Sequence, residues 1–153
     1  MAFCKTTKKD STLIDYKKYS HVIGIDPGTN TGLAIWSRVK KEYSLIKTCS
    51  IVEAQDIILK CYDCQHTFIR IEDARQRTWF GSVGREVLQG VGSVKRDCNI
   101  WEEFCRYYGY EFELVHPKRS KTKMNVNQFK ALTGYKSSTS EHARDAAVLV
   151  FGL

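Results

Sequence analysis

The chain alternates short apolar runs, read as strands, with longer stretches whose apolar residues recur every three to four positions, read as helices. Residues 21–25 form a strand that ends at Asp26, and 33–37 and 43–50 give two more, a meander after a glycine turn. Ala54, Ile57, Ile58 and Cys61 keep helical spacing over 53–61, and 68–72 is the fourth strand. From 82 to 108 the spacing is again helical, carried by residues such as Val87, Val91, Val94, Cys98, Trp101 and Cys105 and loosened at Gly90 and Gly92. Residues 111–115 make a fifth strand, ended by Pro117. A basic loop follows, then a short helix over 127–132 and a last helix with Ser140 as N-cap and Glu141 in its first turn.

That order predicts an α/β fold in which a five-stranded mixed sheet is flanked by helices. At 153 residues with 42% apolar content, the chain has the size of one domain with its own core. Residues 21–153 are expected to form that single domain, after a polar, basic arm over 1–20 that is loosely ordered. No internal repeat or dividing linker interrupts it. No apolar run approaches the roughly 20 residues that span a bilayer, and no signal peptide is evident. The expected setting is cytoplasmic, with no membrane partner.

Charge narrows the partners. Lys and Arg number 24 against 17 Asp and Glu, a formal net charge of +7 with a pI near 9.1. The bases bunch at 5–18, 70–85, 95–96 and 118–123. Such bunching favours a polyanion through counterion release from phosphates, although a well-solvated surface looks the same. Cys61-x-x-Cys64 has zinc spacing, but no second pair follows it, and Cys98 and Cys105 lie two helical turns apart as buried thiols do. Reduced, mostly buried cysteines are expected.

Candidate chemistry concentrates in Asp26, Glu72, His142 and Asp145. Asp26 and Glu72 each close an apolar run, and the ends of strands are where α/β sheets build sites. His142 and Asp145, three apart, share one face of the last helix. Carboxylate oxygens suit Mg²⁺ and Mn²⁺, and imidazole suits Mn²⁺ better than Mg²⁺. In a basic protein, such a cluster points to phosphodiester hydrolysis. Gly28 and Gly32 are expected to let the backbone turn sharply after Asp26 and to let phosphate or metal approach closely. Glu72 and its neighbour Asp73 point to opposite faces of a strand; Glu72 is assigned to the side of Asp26, and Asp73 to an ion pair with Arg75 or Arg77. Plainer readings exist for each: a hairpin turn at 26–32, a surface histidine at 142, an ion pair of Asp145 with Arg144 or Arg119. Asp145 precedes an apolar stretch, however, and burial there without a partner would be costly. A metal would resolve that cost.

In this order the motifs resemble a known family. Ile23-Gly-Ile-Asp-Pro-Gly-Thr-Asn-Thr-Gly32 resembles the first motif of RuvC-type Holliday junction resolvases, within the RNase H-like superfamily. Ile71-Glu72 resembles their second motif, and His142-Ala-Arg-Asp-Ala-Ala147 their final acidic helix. The resemblance covers about residues 21–151. It implies an RNase H-like fold and a homodimeric endonuclease acting on branched DNA, the four-way junction first, with two Mg²⁺ or Mn²⁺ ions per site. By motif match Asp26 would bridge the metals, Glu72 and Asp145 would complete the cluster, and His142 would be a ligand or orient the attacking water. Lys118, Arg119, Lys121 and Lys123 fall where the family keeps a basic loop for backbone phosphates.

The chain also departs from the family pattern. Arg75 stands where the family places an aromatic wedge, with Arg77 close by. Trp79 and Phe80 are the nearest aromatics available to stack on an opened base, or else they pack beneath the central helix. Only 135–140 separates the last two helices, where the family carries a longer segment. The form is compact, like phage or divergent resolvases, and strict four-way junction specificity stays open. Val87, Val91, Val94 and Trp101 would serve either a dimer surface or the monomer core. Two other readings remain: a catalytically weak branched-DNA-binding protein, and an RNase H-like nuclease acting on RNA or another non-junction substrate. Actin-like ATPases and sugar kinases share the Asp-x-Gly turn, but they need two such domains, which this length does not supply.

Overall fold

Side-chain alternation in the central strands sorts the core into two layers. In the computed structural model, which describes residues 14–76, 85–117 and 123–153 (the side chains of 85–89 and 91 excepted), five strands make one sheet. They are β1 (His21–Asp26), β2 (Thr31–Ser37), β3 (Glu42–Cys49), β4 (Thr67–Glu72) and β5 (Glu111–Val115), in the order β3-β2-β1-β4-β5. The β1-β2 and β2-β3 pairs are antiparallel, whereas β1-β4 and β4-β5 are parallel. The sheet is therefore mixed, as its alternation with helices predicts.

Ile23, Ile25, Leu33, Ile35, Ile69 and Ile71 turn to one face. There they meet Ala54 and Ile58 of α1 (Ile51–Cys61) and Trp101, Phe104 and Cys105 of α2 (Arg85–Tyr108). Val22, Ala34, Trp36 and Phe68 turn to the other face. That layer holds Phe129 of α3 (Val126–Thr133) and Ala146 and Ala147 of α4 (Glu141–Val148). Burying about twenty such side chains at roughly 1.5–3 kcal/mol each is what fixes the sheet between its helices.

Two expectations need revision, and one open alternative is decided. First, α1 begins at Ile51, two residues early, because the Ser50 hydroxyl accepts the Glu53 amide and caps the helix. Second, Trp101 is fully buried in the α1/α2 layer, so it belongs to the monomer core and not to a dimer surface. Periodicity alone could not separate those uses of one helical face. Third, the arm drawn over 1–20 is packed from Ile14 onward. Tyr19 is buried beside Phe68, Tyr16 donates its hydroxyl to Glu113 at 2.8 Å, and Arg38 Nη1 donates to the carbonyls of Tyr16 (2.7 Å) and Tyr19 (3.2 Å). Aromatic burial outweighs the charge of this segment; residues 1–13 lie outside the described residues.

Cys49, Cys98 and Cys105 are buried free thiols, as expected, but Cys61 is exposed. Among the described residues, no helix is long and apolar enough to cross a membrane.

Candidate functional site

The period of two along a strand decides which acids meet. Asp26 shares its face of β1 with Val22 and Gly24, and Glu72 shares its face of β4 with Phe68 and Arg70. Both are on the α4 side of the sheet. Because β1 and β4 run parallel with Ile25 opposite Ile71, the two acids stand side by side at the carboxyl ends of adjacent strands. Asp73 points to the opposite face, where it is buried and accepts from Arg75 Nε (2.7 Å) and Gln76 Nε2 (3.1 Å). The choice of Glu72 over Asp73, and the Asp73–Arg75 pair, follow from this alternation.

Helix α4 brings the other two residues to the same place. Ser140 caps it, its hydroxyl accepting the Ala143 amide at 3.2 Å and bonding to Thr48 of β3. The helix lies directly on two glycines. A Cβ on Gly24 would stand 2.1 Å from the Ala146 carbonyl oxygen, and one on Gly32 would stand 2.0 Å from that of His142. Gly32 pairs with Asp26 across β1-β2, so the absent side chain is what lets His142 approach that acid. Neither Gly28 nor Gly32 has a left-handed backbone, and a Cβ on Gly28 would meet only ordinary contacts. The seat of the α4 backbone, and not a sharp turn, is the reason for glycine at 32.

Arg144, itself buried, fastens the far side of α4. Its Nε donates to the Met124 carbonyl (3.1 Å) and its Nη1 to that of Thr139 (2.6 Å). Tyr43 donates its hydroxyl to the Ala147 carbonyl at 2.9 Å.

Within this frame, His142 Nδ1 lies 2.8 Å from Oδ2 of Asp26, so that for an ionised Asp26 the ring hydrogen is donated to the carboxylate. The Asp26 side chain is 13% exposed and that of His142 44%. Burial pushes the Asp26 carboxyl above its ordinary value. The His142 contact and the Glu72 carboxyl, within hydrogen-bonding reach, pull it back, while the nearby charge of Asp145 adds to the rise. Asp145 is 20% exposed and holds Lys123 Nζ at 3.1 Å; the same ammonium bonds Glu141.

All four expected residues thus lie around one point, though among the described residues they do not close into a cage of three or more ligands. Their chemistry fits a divalent cation: three hard oxygen donors and an imidazole, with a buried carboxyl whose charged form lacks full compensation.

The expected DNA contacts are distributed differently. Arg75 is engaged by protein: besides Asp73 it pairs with Glu102 of α2 (2.8 Å) and donates to Asn99. Lys123 stands at the acid cluster. Arg77, Trp79, Phe80, Lys118, Arg119 and Lys121 lie outside the described residues. Sequence reading passed over the role of Gly24, which comes from helix-on-sheet packing, and took Arg144 only as a possible partner of Asp145, whereas that side chain bonds the carbonyls of Met124 and Thr139. It also passed over the Lys123–Asp145 pair, for which no local spacing gives a signal.

No protein-family model matches the chain, and no curated protein does. Among solved structures it is similar to the RuvC of T. thermophilus, determined in complex with a Holliday junction substrate. The match has a TM-score of 0.56 at 15% identity, over 84% of this chain and 89% of that one. The chain has a RuvC-like, RNase H-like fold.

Proposed function

We propose that this RuvC-like chain is a metal-dependent, structure-selective DNA endonuclease that nicks Holliday junctions or other branched DNA. The observation that carries the reading is the convergence of Asp26, Glu72, His142 and Asp145 from β1, β4 and α4 at the carboxyl edge of the sheet. These four are the residues that would hold two Mg²⁺ or Mn²⁺ ions. Such ions supply activation of water and stabilisation of the leaving oxygen in phosphodiester hydrolysis.

The chain's own groups do the rest. With its Nδ1 hydrogen given to Asp26, His142 keeps Nε2 as the ring's proton acceptor, suited to orient water or take its proton. Gly24 and Gly32 hold α4 at the distance this needs. The net charge of +7 supports a nucleic-acid substrate. Lys118, Arg119, Lys121 and Lys123 are assigned to backbone phosphates. Arg77, Trp79 and Phe80 are assigned to the branch point, with the aromatic rings stacking on an unpaired base. Arg75, tied to Asp73 and Glu102, is assigned to shaping the approach to that segment. A homodimer would set two sites about a twofold axis and make paired nicks.

The test is cleavage of a labelled four-way junction against matched linear duplex and RNA, in Mg²⁺ and in Mn²⁺, with Asp26→Asn as control. Paired nicks in the junction that vanish in the variant are expected. Tight junction binding with no cleavage would overturn the catalytic reading, and preferential cutting of RNA would overturn the substrate.

A further inference from the structure

We infer that Lys123 is a built-in counter-ion of the acid cluster, one that competes with a divalent metal for Asp145 and is released toward phosphate when the metal binds. This inference rests on the nuclease reading above and adds regulation to the same site. Lys123 Nζ lies 3.1 Å from Oδ2 of Asp145 and bonds Oε1 of Glu141, which sits four residues earlier on α4. One ammonium therefore bridges two acids of a single helical face, and one of those acids belongs to the proposed metal cluster.

The backbone beside Lys123 is fixed. Met124 gives its carbonyl to the buried Arg144, and Asn125 opens α3 through a reciprocal cap with Gln128. The long side chain is the part that can move. Half of it is exposed, and Asp145 is partly exposed as well. A lysine held on carboxylates at such a wet position is bound weakly. A divalent ion brings twice the charge and takes carboxylate oxygen directly. In that contest the metal wins.

Lys123 also closes the basic stretch 118–123. An ammonium displaced from Asp145 is freed for DNA phosphate, the role proposed for the bases of this stretch, so one charge serves two partners in turn. The metal-free protein keeps Asp145 and Glu141 partly neutralised, and the metal-loaded protein gains a phosphate contact. Metal loading and grip on the DNA backbone are then linked through a single side chain.

The experiment is a calorimetric Mn²⁺ titration without DNA of the wild type, Lys123→Gln, Lys130→Gln and Asp26→Asn, each checked for fold by circular dichroism. Lysine acetylation of the wild type, with and without saturating Mn²⁺, is read by mass spectrometry alongside it. Lys123→Gln should bind Mn²⁺ up to about five-fold tighter. Lys130→Gln, the same charge change on the exposed side of α3, should shift affinity less, and acetylation of Lys123 should rise when Mn²⁺ is added. Equal or weaker binding by Lys123→Gln, or labelling of Lys123 indifferent to Mn²⁺, overturns the inference while leaving the nuclease reading intact. No Mn²⁺ binding by the wild type, or undiminished binding by Asp26→Asn, overturns both.

Discussion

His142 Nδ1 meets Oδ2 of Asp26 at 2.8 Å across 116 positions of sequence. That contact joins the central strand to the last helix and makes the two motifs one chemical unit. Asp26→Asn should lower junction nicking by at least ~10³-fold, about 4 kcal/mol of transition-state stabilisation, with junction affinity retained. His142→Ala should cost roughly 10²-fold, the lower range for loss of a proton-transfer group. Single-turnover cleavage with electrophoretic mobility shifts separates the two effects. A fully active Asp26→Asn would sink the assignment.

The seat of α4 makes a sharper claim about glycine. A methyl group on Gly24 or Gly32 would stand near 2 Å from a carbonyl oxygen of α4, at 2.1 and 2.0 Å, and backbone atoms there cannot give way. Gly32→Ala should destabilise by about 1–3 kcal/mol, as overpacking does, and should remove nicking along with it. Gly90→Ala is the contrast: it lies inside α2 with nothing described within 4 Å of the added carbon. That change should be neutral or stabilise by up to about 1 kcal/mol through helix propensity. Urea melts of both variants decide.

Arg75 holds two acids of its own. Asp73 is 4% exposed and the Glu102 side chain 17%. Arg75→Ala would leave both poorly paired, a cost of about 2–4 kcal/mol once partial solvent access to Glu102 is allowed for. Burial raises the Glu102 carboxyl, but bonds from Arg75 and Arg106 outweigh it and hold the group below its ordinary value of 4.5. A depressed folded value means that the unfolded chain binds the proton first. Glu102 therefore stabilises above about pH 4.5, and this stabilisation fades as the pH falls further. Chemical melts between pH 3 and 7 should show a shallower acid decline in Arg75→Ala than in the wild type.

Thiol reactivity follows burial. Cys98 and Cys105 have no exposed surface, and burial pushes the Cys105 thiol far above the ordinary cysteine range. Cys61 is exposed. Under native conditions at pH 8, iodoacetamide should modify Cys61 first among the described cysteines and leave Cys98 and Cys105 unreacted until denaturant is added. Peptide mapping after timed quenching checks this. Early labelling of Cys105 would mean that α2 opens locally far more readily than its packing implies.

Much of the site was legible because it is written in local code. An apolar run ending on an acid marks Asp26 and Glu72, the two-residue period of a strand separates Glu72 from Asp73, and Ser140 announces α4. The remainder depends on which surfaces meet, and spacing carries no such information. Gly24 reads as one more small residue in a strand until a helix is laid over it. Trp101 fits a core or an interface equally well on a helical wheel. Arg75 looks like a cation awaiting DNA until Glu102 arrives from α2, 27 residues later. Lys123 looks the same until α4 docks.

If the chain is the nuclease proposed above, the long-range pairing of β1 with α4 also sets when cutting becomes possible. Asp26 and Glu72 leave the ribosome well before Asp145, so a partly synthesised chain carries the strand acids without the helix that completes the cluster. The same would hold for a finished molecule that opens locally at α4: lifting that helix from Gly24 and Gly32 would part Asp145 and His142 from the strand acids. On the proposed nuclease reading, cutting then requires the fully folded protein, and unfinished or partly opened copies would leave DNA intact.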